Sequence, residues 1–330
     1  MKSFRAARNS ALLSLLAALA LLPGVSRAAE EWPTRPIIVV VPFAAGGSLD
    51  RVARAFAPFL GKELNVPIVI ENRAGASGQV GVQYFLQRPA DGYTLLAGAQ
   101  PNFSTPIIFQ KAPFGLGNIE LINAHEVDGV SITVLAESPF RTFDDLHKAI
   151  KAQPGKITIA FPRGGSNQLL ALLLKEKLGW DVLLVPYDSG AATRTALLGG
   201  HVTAIVKGAV SDAEMKPRVR SLTLSTPTKL SVWPDSPYVN DLLKAHGARI
   251  PDVGDVRFFA FKKGVRAQHP DRWEKLLRAY QAAMKNPEYR AMMEKMGAAE
   301  EADYRGPEQS QRIIDDLHNL LVEHRSKFEE

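Results

Sequence analysis

Two glycine turns stand where backbone amides can hold an anion. One lies in VVPFAAGGSLD (40–50), the other in IAFPRGGSNQ (159–168). Each follows an apolar run and precedes a helix-like pattern, so each exposes N–H groups beside the positive end of a helix dipole. A shift of 118 residues lays Gly46, Gly47 and Ser48 on Gly164, Gly165 and Ser166, and Leu60-Gly61 on Leu178-Gly179. Two such turns facing each other would clamp a ligand that is negative at two points, since α/β folds bind ligands at the carboxyl ends of their strands. The plainer alternative is that α/β proteins carry glycine turns after many strands.

Other chemistry is poorly supported. None of the seven histidines (His125, His147, His201, His246, His269, His318, His324) sits in a metal-ligand spacing. His318 and His324, on a polar C-terminal helix, are expected to be solvated. Ser189, Asp188 and His201 do not fall in a nucleophile context. GASGQVG (75–81) is G-x-x-G-x-x-G, and Glu71-Asn72-Arg73 separates it from the preceding strand, so it is not a dinucleotide fingerprint. We therefore expect no metal, no cofactor and no catalysis.

The elements around the turns alternate. IIVVV (37–41) reads as a strand buried on both faces. Ser48 is placed to cap a helix that carries Leu49, Val52, Phe56 and Leu60 on one side, with a kink at Pro58 and an exit at Gly61 and Asn65. Strands at 67–70 and 93–97 flank a helix at 80–87. The rhythm resumes with a strand at 131–136, a helix at 143–152 capped by Thr142, and a strand at 156–160. After the second glycine turn come a helix to Leu178, a strand at 182–187, a helix at 191–198 and a strand at 202–207. The C-terminal third reads as helical, with helices at 271–284, 287–296 and 308–328. The fold class expected is α/β, a two-lobed clamp in which each lobe is a sheet flanked by helices.

The chain ends add a location. Lys2, Arg5 and Arg8 precede an apolar run at 11–22, then Pro23-Gly24 and small residues up to Ala28. This is the layout of a signal peptide (1–28) cleaved after Ala28, and the run is too short to be a membrane anchor. The segment holds four of the 40 basic residues and none of the 34 acidic ones, so the remainder carries a net charge near +2. That balance, with no basic stripe interleaved with aromatics, gives no reason to expect nucleic acid. Cysteine is absent, so neither disulfides nor a lipid anchor is expected, and stability must come from a large core. A soluble exported protein is retained best in a bacterial periplasm.

At PFAAGGSLD, IENRAGASGQVG and ADGYTLL the chain resembles the exported solute receptors of tripartite tricarboxylate transporters, the Bug family. The pattern P-F-x-x-G-G-x-x-D is met by Pro42, Phe43, Gly46, Gly47 and Asp50. E-N-R-x-G-A-x-G-x-x-G is met by Glu71, Asn72, Arg73, Gly75, Ala76, Gly78 and Gly81, and D-G-Y-T-L-L by residues 91–96. PGKI, VPY and ALLGG follow in the family's order. The resemblance implies a Venus-flytrap, type II-like periplasmic binding protein. Lobe I would comprise 29–128 and 251–330 and lobe II 129–250, with crossovers near 123–130 and 247–256. It implies a small carboxylate ligand, a di- or tricarboxylate or an aromatic carboxylate, and a monomer that serves membrane permease subunits. An alternative role is a sensor presenting the carboxylate to a membrane signalling partner.

The resemblance also places the site. Lobe I would contribute Phe43, Ala44, Ala45, Gly46, Gly47 and Ser48 after the first strand, and Ala99, Gln100, Asn102 and Phe103 after the third. Lobe II would contribute Arg163, Gly164, Gly165, Ser166, Asn167, Asp188, Ser189 and Gly190. Asp50 and the E-N-R motif are read as structural. The lobe II half departs from the family: Asn167-Gln168 stand where a His is common, Asp188 replaces a lysine, and VRFFAFKKGV (256–265) is atypical. Lys207, at the end of an apolar strand, is expected to supply with Arg163 the charge that reads a distal carboxylate, and Phe103 to stack on the ligand.

Overall fold

The computed structural model describes residues 31–163 and 165–328, so the expected leader and Gly164 lie outside the described residues. Every element named below belongs to one unit, residues 35–330.

Among the described residues nine strands form the frame: β1 (Ile37–Val41), β2 (Ile68–Asn72), β3 (Thr94–Gln100), β4 (Ile119–Leu135), β5 (Thr158–Pro162), β6 (Leu183–Tyr187), β7 (Ala204–Gly208), β8 (Val219–Leu224) and β9 (Gly254–Lys262). Their order is β2-β1-β3-β9-β4-β7-β5-β6, with β8 also on β4. β1 runs parallel to β2 and β3, and β5 parallel to β6 and β7. β4 joins these two parallel groups. It pairs antiparallel with β9 as far as Gly129↔Gly254, then from Val130 with β7 and close by with β8. The expected strand at 131–136 is thus the end of a 17-residue strand. Irregular register at Leu121/Asn123 and Ala124/Glu126 breaks its alternation, as bulges do. A second correction concerns the C-terminal third, which opens with β9 before its helices begin.

Helices cover both groups: α1 (Ser48–Leu64), α2 (Gln79–Leu86), α3 (Ser104–Phe109), α4 (Phe143–Ala152), α5 (Gly165–Leu178), α6 (Gly190–Leu198), α7 (Ala209–Ala213), α8 (Val239–Leu243), α9 (Val265–Gln268), α10 (Pro270–Lys285), α11 (Pro287–Lys295) and α12 (Gly306–Glu323). α1 buries Leu49, Val52, Phe56 and Leu60, runs through Pro58, and ends at Asn65 in the left-handed region. Phe56 packs against His125, Phe259, Tyr280 and Tyr289, which fixes α1 over β4 and β9. α4 has the expected Thr142 cap, reciprocated by Asp145. His318 is not a solvated side chain: its Nδ1 lies 2.7 Å from Ser104 Oγ and ties α12 to α3. His324 is buried too.

Candidate functional site

The loop from β1 into α1 is held from below. Asp50, buried in the first turn of α1, accepts from the Gly46 amide at 2.8 Å, Arg54 Nε at 3.0 Å and Asn72 Nδ2 at 2.9 Å. Asn72 also donates to Phe43 O. Burial pushes the Asp50 carboxyl up, but these donors outweigh it and leave its pKa below the ordinary value. Asp50 and Asn72 therefore shape the loop. Two of its amides are consumed inside it, Gly46 on Asp50 and Gly47 on Ala44 O. The amides of Ala45 and Ser48 make no described hydrogen bond, and they lie at the N-terminus of a 17-residue helix. Ser48 is not the cap expected from sequence; Gly47 takes that position, with no side-chain cap bond. Gly46 has φ +79°, a backbone state that glycine reaches without strain.

The second lobe I loop behaves differently. Gln100 is buried, donating to Ser104 Oγ and accepting from the Ser104 amide, so its side chain braces its own turn. Phe103 does not stand ready to stack on a ligand. It is 4% exposed, wedged between Phe114 and Phe258 at ring distances of 5.3 and 5.8 Å. Ala99 is half-buried and Asn102 exposed.

β9 supplies the centre that sequence reasoning missed. Arg257 donates to Ser48 Oγ, from Nε at 3.2 Å and Nη2 at 2.9 Å. Its guanidinium also lies 3.0 Å from Glu126 and 3.4 Å from Asp128. Cross-strand register puts Glu126, Asp128, Asp255 and Arg257 on one face, because opposed residues point the same way. Burial, then Asp128 and Glu126, push the Glu301 pKa well up. The only hint in the sequence was a lone arginine inside the apolar run VRFFAF.

Lobe II residues meet this centre. Ser166, second in α5, donates to Gly254 O at 2.7 Å, beside Asp255. A Cβ on Gly165 would come within 3.2 Å of Pro101, so the two loops touch. Ser189 caps α6 through the Ala192 amide. Gly190 leaves room for the Lys207 stem, whose Cε would lie 2.5 Å from an added Cβ. Lys207 is 12% exposed; its Nζ donates to Ser211 Oγ and lies 3.8 Å from Oδ1 of the fully buried Asp212. It is therefore a paired cation, not a free one facing the cleft. Arg163 approaches Asp188 at 4.0 Å with both side chains largely exposed, a pair of small energetic weight. Asn167 is buried.

Electrostatics at the floor lean acidic. Burial, then Asp128, raises the Asp255 pKa to about 6, against Arg257. Burial raises Asp212 to about 6, opposed by Lys207. Burial also raises Glu126, against Arg257. A cavity of about 870 Å³ lies on the other face of β4 and β9, lined by Val127, Val256 and α12. Among the described residues, no group of three or more ligating side chains could hold a metal, and no helix is long and apolar enough to cross a membrane.

The family model described as "Tripartite tricarboxylate transporter family receptor", TctC, matches residues 52–320. The chain belongs to the TctC receptor family. Protein BugT of Bordetella pertussis is 32% identical over 225 residues, which is 65% of this chain and 68% of that one. A second protein of the same species, one of the UPF0065 proteins, is 32% identical over 194 residues, 58% of this chain and 60% of that one. A TctC solute-binding protein from Polaromonas superposes with a TM-score of 0.77 at 23% identity, covering 90% of this chain and 99% of that one. Two structures from Rhodopseudomonas palustris share the fold: one solved with adipate (TM-score 0.71, 21% identity, 90% and 97% covered) and MatC with bound malate (0.64, 24%, 90% and 99%). The fold is accordingly the two-lobed binding-protein architecture, and TctC is a family of solute receptors rather than enzymes.

Proposed function

We propose that this TctC-family protein is a periplasmic receptor that takes a small organic acid into the cleft between its sheets and delivers it to membrane subunits of a tripartite tricarboxylate transporter. The observation that carries the reading is the loop of residues 43–48. Asp50 and Asn72 hold it rigid while the Ala45 and Ser48 amides stay unpartnered at the head of α1, a setting that suits a carboxylate. The relatives with adipate and malate support a carboxylate as the ligand class. In this reading lobe II begins where β4 exchanges β9 for β7 and the chain returns to lobe I at Gly254. The leader directs export and the chain works as a monomer. A thermal-shift screen of mono-, di- and tricarboxylates tests the reading. Ligand at a hundred times its Kd should add about 2.7 kcal/mol of stability. If no carboxylate raises the melting temperature, the reading is wrong.

A further inference from the structure

A receptor for a dicarboxylate needs an anion site at each end of its cleft. The lobe II end is already supplied with carboxylates from the protein itself. Asp255 opens β9 next to Gly254, whose carbonyl takes the hydroxyl of Ser166 in the first turn of α5. That turn is the second glycine turn, where a ligand's far carboxylate would bind. Asp128 stands opposite Asp255 in register, on the same face.

The nearby cations are committed elsewhere. Lys207 is held by Asp212 and Ser211. Arg257 contacts two carboxylates, Glu126 and Asp128, as well as Ser48. Arg163 is an exposed side chain beside Asp188, itself an anion. The floor also holds an open acceptor. Oδ1 of Asn167, in the same turn of α5 as Ser166, is buried without a hydrogen-bond partner, and a buried acceptor in that state favours an incoming N–H. A second ligand carboxylate would face like charge from Asp255 and Asp128 at short range, an arrangement that disfavours a partner strongly.

Resting on the receptor reading above, we propose that the ligand is a monocarboxylate with an ammonium group at its far end, and that Asp255 is the specificity residue that accepts the ammonium and excludes a second carboxylate. The ligand carboxylate lies at the Ala45 and Ser48 amides, and the ammonium lies between Asp255 and the first turn of α5.

Calorimetry on the full mature chain tests this with two sets of acids that differ only at the far end. These are hexanoate, 6-aminohexanoate and adipate, and butanoate, 4-aminobutanoate and succinate. Near pH 8 the Asp255 carboxyl is ionised, and the amino acid of the fitting length is expected to bind at least about tenfold tighter than its dicarboxylate. In Asp255→Asn the dicarboxylate should gain about tenfold and the amino acid lose about as much, while the unsubstituted acid moves by less than about threefold. The wild-type ratio alone is decisive should the variant fail to fold. A dicarboxylate that binds the wild type as tightly as the amino acid overturns the inference and leaves the receptor reading intact, as does a ratio that Asp255→Asn leaves unchanged. If no acid of any length binds, the receptor reading fails and this inference falls with it.

Discussion

Asp50 is the residue on which the loop of residues 43–48 depends. Its carboxylate accepts from three donors, one of them the Gly46 amide, and it is nearly inaccessible to water. Asp50→Ala leaves those donors unsatisfied and frees the loop. The expected cost is about 1–3 kcal/mol of stability, together with at least about a tenfold loss of ligand affinity from the lost preorganisation. Urea denaturation and calorimetry on the same variant separate the two, and an unchanged affinity would show that the loop does not read the ligand. Asp50 was legible in the sequence because its function is local: an acidic residue in the first turn after a glycine pair. Arg257 was not. Its partners Ser48 and Glu126 are 209 and 131 residues away, and only the folded sheet brings them to it.

At the scale of elements, the strands that were legible are those whose meaning is local. β1 is an unbroken β-branched run and came out with its observed limits, Ile37–Val41. β9 lies between β3 and β4 at the middle of the sheet, yet its run GDVRFFAFK mixes charges into the apolar pattern. Asp255 and Arg257 share one face with Glu126 and Asp128 of β4, and this charged cluster interrupts the apolar periodicity of the strand. Lys207 misled for the converse reason. Its position at a strand end was read correctly, but the buried Asp212 that claims it follows in α7, and sequence gives no sign that a short helix will turn that carboxylate back. The weight of β9 is testable at Phe258, which is fully buried and packs on Phe103. Phe258→Ala is expected to cost about 3–5 kcal/mol and to weaken ligand binding through the loop that Phe103 anchors. A small loss, under about 1 kcal/mol by urea titration, would mean that the neighbouring rings close over the cavity.

For the whole molecule, β4 links the two parallel groups and exchanges β9 for β7 at Gly129 and Val130, where bending is expected to concentrate. Ser225 bridges the two crossovers there, accepting from the Val130 amide and donating to Val253 O. Small-angle scattering should show a smaller radius of gyration with saturating ligand, and an unchanged value would argue for a rigid cleft. The same region sets the response to pH. His125 in β4 is fully buried, its ring nitrogens 2.6 and 2.7 Å from the hydroxyls of Tyr280 and Tyr289. Burial, then Arg305 and Arg257, depress its pKa from 6.5 to about 3. The unfolded chain therefore binds the extra proton between those values, and His125 costs the fold up to about 1.4 kcal/mol per pH unit as pH falls below 6.5. Asp212 and Asp255 act in the opposite sense. Both are raised from 3.8 to about 6, so their contribution is fully present below 3.8 and is lost as pH rises through 6. Between those limits the two effects oppose each other and flatten the wild-type curve. His125→Gln removes one side of the balance. At neutral pH the variant is expected to be less stable by about 1–3 kcal/mol, because hydrogen bonds to the buried tyrosines are lost. On acidification the deficit should shrink by about 1.4 kcal/mol per unit until the variant overtakes the wild type. Denaturant titrations between pH 7 and about pH 4 measure it, and a deficit that stays constant over that range would mean that His125 is not held neutral in the fold.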